Sequence, residues 1–348
     1  MPGYVFLTQG DLTRIRCDYI AYTTDCGGDE GQLASAFNLI RPGFASLVKG
    51  WVGECGSSLG IGSTKRLAVL PGGRTVIGVV STRETKTEST AGAEAAVRAS
   101  IQCVPTEEHR RLIALPAVNF GEGGNREARL KSARAQLQAA GDELEYRSDL
   151  DVIFVTYDSS SYRIFQQARA SLSINKVELG IPHPPAALID RLRRGQCVTF
   201  VGAGVSAESG LPNWSELLDH LELQAGFHPS DPPQVADLKM RAQALRASHP
   251  KDVDLWVSSK FSGAFDEASE LVPSAVHYTL ASLPVRFYFT TNYDGLIETT
   301  LRNARRYPMR IVSQPEVAET GDSGGTYVIK LHGDADHPDD GIVLSQSD

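Results

Sequence analysis

The chain has 348 residues, of which 41% are hydrophobic and 22% charged, so it is long enough for two domains that each bury a core. A formal net charge of −8 excludes an overall basic field for holding nucleic acid, and no apolar run approaches the ~18 residues of a membrane-spanning helix. Five scattered cysteines (Cys17, Cys26, Cys55, Cys103 and Cys197) form no CxxC pair, which suits neither a disulfide framework nor a zinc ribbon; neither zinc nor any other metal is expected. The N-terminus is a strand pattern and not a basic stretch leading into an apolar one, so a cytoplasmic location without membrane contact is expected.

Along the first part of the chain, short apolar or β-branched runs at 4–7, 19–24, 67–70, 75–80, 112–115 and 152–156 predict strands. Between them, 32–40, 91–102 and 126–144 have helical spacing and good helix formers. This alternation predicts an α/β layered domain. The segment GIPHPPAAL, 180–188, then places prolines at 182, 184 and 185, where neither a helix nor a ladder can continue. It divides the chain into a first domain, 1–174, a linker, 175–187, and a second α/β domain, 188–348. Within the second domain the break GFHPSDPPQ, 226–234, predicts a helical insertion at 234–247 that packs over the sheet and helps to shape a pocket.

Three segments of the second domain carry chemistry. The strand 198–201 runs into GAGVSAESGLPNW, 202–214, where the absence of side chains at Gly202 and Gly204 lets a pyrophosphate approach the backbone and meet the N–H groups of the following helix. Downstream, FYFTTNYDGL carries Asn292 and Asp294, and VIKLHGD carries His332, both at apparent strand ends. Each motif alone has a simpler reading: a structural corner, a helix-capping Asn-Tyr-Asp turn, a surface histidine.

Together the three segments resemble the Rossmann-like sirtuin-type NAD-consuming domain, over about 150 residues. The resemblance implies a cofactor-binding corner at Gly202, Ala203, Gly204 and Ser206, with Thr290 nearby and Trp214 covering the nicotinamide ribose. It implies that Asn292 holds that ribose and the attacking nucleophile, that Asp294 contacts the carboxamide, and that His332 acts as general base. These residue types suit the chemistry, because a neutral amide positions water without quenching an oxocarbenium-like centre and a carboxylate stabilises it. An imidazole titrating near neutrality suits a base. The zinc cysteines of deacylating sirtuins are missing, and their Asp-Phe-Arg element reads Asn213-Trp214-Ser215 here. Trp214 followed by Ser-Glu-Leu-Leu is more similar to bacterial sirtuin-like NADases of antiphage defence. Domains of this kind continue beyond the ILSQSD-like strand, so a sirtuin-like domain ending at Asp348 is expected to be truncated or unusually short.

The first domain resembles a macro domain, a three-layer α/β fold that binds ADP-ribose. The resemblance is carried by GDLT at 10–13, the strand at 18–21, IALPAVNFGEGG at 113–124 and VIFVTYD at 152–158. It implies that Asp11 accepts from an adenine amino group and that Gly121, Gly123 and Gly124 wrap a diphosphate. Read alone, GEGG is equally a surface turn. The stretch 22–37 lacks the asparagine of hydrolytic macro domains and carries Asp29 and Glu30, so the resemblance implies nucleotide binding by this domain and does not extend to hydrolysis.

The leading expectation is an NAD glycohydrolase that releases nicotinamide and ADP-ribose as an antiphage-defence effector. Its partners would be small-molecule nucleotides, a phage-derived or partner-enzyme signal, and further copies of itself in a homo-oligomer; nucleic acid is not expected. The alternatives are a sirtuin-type ADP-ribosyltransferase or deacylase coupled to an ADP-ribose reader, and a non-enzymatic nucleotide-binding scaffold.

Overall fold

The computed structural model describes residues 2–25, 32–55, 59–82, 90–118, 126–172, 184–226, 238–266, 269–312 and 324–345. The chain divides into two compact units, Met1–Pro182 and His183–Asp348.

The first unit contains β1 (Val5–Gln9), β2 (Tyr19–Asp25), α1 (Gln32–Ile40), α2 (Phe44–Cys55), β3 (Thr64–Val69), β4 (Thr75–Thr82), α3 (Thr90–Gln102), β5 (Arg111–Pro116), α4 (Arg126–Leu144), β6 (Leu150–Thr156) and α5 (Ser159–Ala170). Its sheet has the order β1-β6-β5-β2-β4-β3, parallel except for the pairing of β3 with β4. Parallel strands are covered on both faces, which is why β6 reads LDVIFVT with almost no polar alternation. The period of two along β2 separates the layers. Tyr19 and Ala21 join a core with Ala93, Ala96 and Val97 of α3 and Leu137 and Ala140 of α4. Tyr22 points the other way, its ring edge-on to Phe37 and Phe44 of α1 and α2 at 5.7 and 5.1 Å. At Gly78 in β4 any Cβ would lie 2.6 Å from the Trp51 ring, so glycine lets α2 sit close to the sheet. The α/β expectation holds for this unit.

The second unit contains α6 (Ala186–Arg193), β7 (Val198–Val201), α7 (Gly204–Ala207), α8 (Trp214–Gln224), α9 (Leu238–Ser248), α10 (Asp252–Phe261), α11 (Ala275–Ser282), β8 (Phe287–Thr290), α12 (Leu296–Asn303), β9 (Pro308–Ile311) and β10 (Thr326–Lys330). The sheet order is β7-β8-β10-β9, and every pairing is parallel. One face packs on α11 and α12 through Val201, Tyr288, Val328, Ala281, Ile297 and Leu301. A separate helical layer of α8, α9 and α10 has its own core of Leu217, Leu218, Leu221, Ala242, Leu245, Val253 and Val257.

The expected insertion is present as α9, whose first residues by the sequence reading, 234–237, lie outside the described residues. Its position differs from the expectation. Arg241 of α9 pairs with Asp219 and Glu222 of α8, at 2.5 and 2.6 Å, so α9 supports α8 from behind and contributes no side chain to the cleft. Among the described residues no helix is long and apolar enough to cross a membrane.

Candidate active site

Parallel register explains how motifs far apart in sequence meet. Val201, Thr290 and Lys330 stand side by side at the ends of β7, β8 and β10. Two further bonds extend the alignment past the strands: Thr291 N donates to Val201 O at 3.2 Å, and Leu331 N to Thr290 O at 2.8 Å. The chain leaving each strand therefore enters one crevice, the usual ligand position in a parallel α/β sheet. That crevice is a cleft of about 250 Å³ lined by Ala203, Ser206, Trp214, Asn292, Asp294 and His332 together with Pro212, Asn213, Leu217, Phe261, Thr291 and Tyr293.

At the glycine corner Gly202 and Gly204 are exposed, and a Cβ on Gly204 would meet no atom within 4 Å. Packing among the described residues thus does not require a glycine at 204; the open backbone leaves room for a ligand's close approach. The following helix, α7, is a single turn. Ser206 within it is buried, and its hydroxyl donates to Asp294 Oδ2 at 2.9 Å while accepting from Asn292 Nδ2 at 2.9 Å. Ser206 is therefore committed on both sides, joining the first motif to the second.

Asn292 is 6% exposed, and its Nδ2 also donates to Gly202 O at 3.2 Å. A carbonyl only accepts, so this bond, with the one to Ser206 Oγ, fixes the orientation of the amide. Oδ1 is buried with no hydrogen-bond partner. An orphaned acceptor of this kind is costly, and an O–H donor entering the cleft would satisfy it. Asp294 takes the bond from Ser206 on one oxygen and from Leu296 N on the other, at 3.1 Å. Asp294 thus takes the first N–H of α12, whose N-cap is Gly295 and carries no side-chain cap. Thr290 is buried behind the wall, its Oγ1 accepting from Asn292 N at 3.0 Å, and Thr291 is the neighbour that lines the cleft.

His332 is half-buried, and burial holds its pKa below the ordinary histidine value of 6.5. The next residue fixes its place: Gly333 has φ +91°, and a Cβ there would lie 2.1 Å from Gly341 O. Val343 N donates to His332 O at 2.9 Å from the same returning segment. Tyr293 bonds the same residue, its hydroxyl donating to Val343 O at 2.8 Å with its ring 6.5 Å from the imidazole. Trp214 opens α8 behind a capping box formed by Asn213 and Glu216, which sets its ring at the cleft.

Beneath the cleft lies a charged cluster that sequence reasoning missed. Lys330 is 1% exposed, and its Nζ donates to Asp294 O at 2.7 Å, Tyr293 O at 3.0 Å and Asp334 Oδ1 at 3.3 Å, with Glu298 Oε1 at 3.5 Å. Burial works against the ammonium, but Glu298, Asp334 and Asp294 outweigh it and raise its pKa. Burial raises the pKa of Glu298, whose oxygens have no hydrogen-bond donor and only the more distant share of Lys330. Asp334 has in addition Arg310 at 2.9 Å.

His277, expected to be structural, is buried on α11, with Nδ1 accepting from Ser274 N at 3.2 Å in a capping box. Burial pushes its pKa down to about 4. The unfolded chain therefore binds a proton between pH 6.5 and 4 that the folded unit refuses, so stability is full above about 6.5 and falls as the pH drops through that window. Denaturant unfolding is expected to show a loss of about 3 kcal/mol from this group by pH 4, absent in His277→Gln. A slope unchanged by the substitution would contradict it.

In the first unit, Asp11 is half-exposed, and its Oδ1 accepts from Thr13 N at 2.8 Å and Thr13 Oγ1 at 2.7 Å, capping a 3-10 turn. The expected phosphate loop, Gly121, Gly123 and Gly124, lies outside the described residues, as do Asp29 and Glu30. Among the described residues there is no cluster of three or more His, Cys, Asp or Glu able to hold a metal.

Residues 286–348 match the family model described as SIR2-like domain. The chain is 32% identical over 166 residues to the NAD(+) hydrolase ThsA of Acinetobacter baumannii (strain 532279), covering 46% of this chain and 33% of that one. It is 33% identical over 147 residues to the NAD(+) hydrolase ThsA of Enterococcus faecium, covering 42% and 30%. The chain thus spans about a third of the length of these curated relatives. Among solved structures, the Oceanobacillus iheyensis macrodomain with ADP aligns with a TM-score of 0.39 at 18% identity, covering 47% of this chain and 88% of that one.

Proposed function

We propose that the second unit hydrolyses NAD at the nicotinamide N-glycosidic bond, giving nicotinamide and ADP-ribose, and that the first unit binds an ADP-ribose-type nucleotide. The observation that carries this reading is that Asn292, whose buried Oδ1 has no hydrogen-bond partner, lines one cleft together with His332 and Asp294. In this reading Oδ1 accepts from a ribose hydroxyl or the attacking water, and His332, neutral at physiological pH, takes up the proton. Asp294 places negative charge beside the cation that develops as nicotinamide leaves, its orientation held by Ser206 and Leu296 N. Trp214 covers the nicotinamide ribose, and the open backbone at Gly202, Ala203 and Gly204 receives the pyrophosphate. The names of the two relatives point the same way.

We assign the two functions to 1–174 and 188–348, with 175–187 as the linker. Asp11 would contact adenine through the oxygen not used in its cap, and Gly121, Gly123 and Gly124 the diphosphate. A cytoplasmic antiphage effector, released by a nucleotide signal and acting as an oligomer, is the cellular role this implies. The test is incubation of the protein with NAD labelled in its ADP-ribose half. Equal amounts of free nicotinamide and labelled ADP-ribose are expected. Label retained on protein would instead mark a transferase, and no nicotinamide release would overturn cleavage altogether.

A further inference from the structure

The proposed reaction leaves Lys330 without a chemical task, although a buried ammonium is costly and an apolar side chain would extend the sheet's core more cheaply. Its neighbours Val328 and Ile329 are ordinary apolar strand residues. What an ammonium supplies that an apolar group cannot is three directed donors. Two of them go to consecutive main-chain carbonyls, Tyr293 O and Asp294 O, and the third to Asp334 Oδ1. The carbonyls belong to the irregular turn after β8, which carries Asn292 and Asp294; the main chain gives it one bond to the segment beyond His332, Ala335 N donating to Tyr293 O at 2.9 Å, and Lys330 adds the contact to Asp294 O. Lys330 itself is the last residue of β10, two positions before His332. Asp334, on the far side of His332, is held in turn by Arg310 and accepts from Asp336 N at 3.1 Å.

We propose that Lys330 is a positioning residue, whose ammonium ties the turn bearing Asn292 and Asp294 to the strand end that delivers His332 and so fixes the reacting groups relative to one another. This rests on the assignment of Asn292 and His332 to NAD cleavage. Loss of the tie lets the two sides shift, and displacements of about 1 Å are enough to cost on the order of 100-fold in rate. Nucleotide binding through the glycine corner does not depend on it.

The experiment compares the full chain with Lys330→Met by steady-state kinetics on NAD and, without nucleotide, by backbone amide exchange. The expected result is kcat lower by about 100-fold with KM within about threefold, and faster exchange at 292–296 while β7 exchanges as before. Because Met strands the buried Glu298 carboxylate, Lys330→Met combined with Glu298→Met provides the folded variant if the single replacement does not fold. A folded variant with kcat within about threefold of the parent, or with exchange unchanged at 292–296, would overturn the proposal. If the parent itself released no nicotinamide, the assignment to NAD cleavage would fall and the exchange result alone would decide on the clamp.

Discussion

Replacing Asn292 with alanine is expected to lower kcat for nicotinamide release by about three orders of magnitude, with little change in KM. The size follows from what the amide does in the cleft. Its Nδ2 bonds to Gly202 O and Ser206 Oγ hold it in one orientation, so that the free Oδ1 meets the reacting hydroxyl or water without reorganisation. Removing the side chain deletes an acceptor that the folded chain does not itself use, and two donor bonds that it does. The stability cost is therefore that of two ordinary hydrogen bonds, about 1–3 kcal/mol, and a thermal melt is expected to show a folded variant. A variant that kept more than about a tenth of the parent kcat would remove Asn292 from the mechanism.

His332→Ala is expected to lower kcat by about three orders of magnitude and also to change the pH profile. A general base works in its neutral form. Burial disfavours the imidazolium, so the neutral form persists below pH 6.5 and the acid limb of kcat/KM is expected to have its midpoint below that value. In His332→Ala that limb is expected to vanish from the residual activity. A limb at or above 6.5 in the parent, or one that survives the substitution, would assign the titration to another group.

Most strands were legible because parallel strands leave a plain signature, continuous apolar runs such as LDVIFVT and YVIK-like ends bounded by glycine or acid, whereas β9, Pro308–Ile311, carries Met and Arg in a short run and was not read. The three site motifs were legible for the same reason, each standing at a strand terminus. The register was not. Nothing in the spacing says that Val201, Thr290 and Lys330 stop at one level, yet that alignment brings residues 202–206, 291–294 and 332 into one cleft. Thr290 illustrates the consequence. As a motif residue it reads as a ligand contact, but side chains alternate along a strand, and its hydroxyl turns inward to Asn292 N while Thr291 takes the wall.

Lys330 escaped because a lone lysine near a strand end reads as a solvated charge. The available signal was its setting, after Val328 and Ile329 in a strand flanked on both sides, where a charge has no route to water. Helix α2 was hidden by Gly50 and Gly53, which weaken its propensity; burial of Phe44, Ala45, Val48 and Trp51 on one face compensates. The position of α9 depended on Arg241 finding two acids on α8, a tertiary pairing with no local trace.

The most direct test of NAD cleavage in this cleft is a structure of the chain with a non-hydrolysable carbocyclic NAD analogue. The expected complex has the nicotinamide end beside Trp214, a ribose-ring hydroxyl donating to Asn292 Oδ1, and His332 within hydrogen-bonding reach of the same ring. An analogue bound with Asn292 Oδ1 still unpartnered, or with its nicotinamide end outside this cleft, would contradict the account.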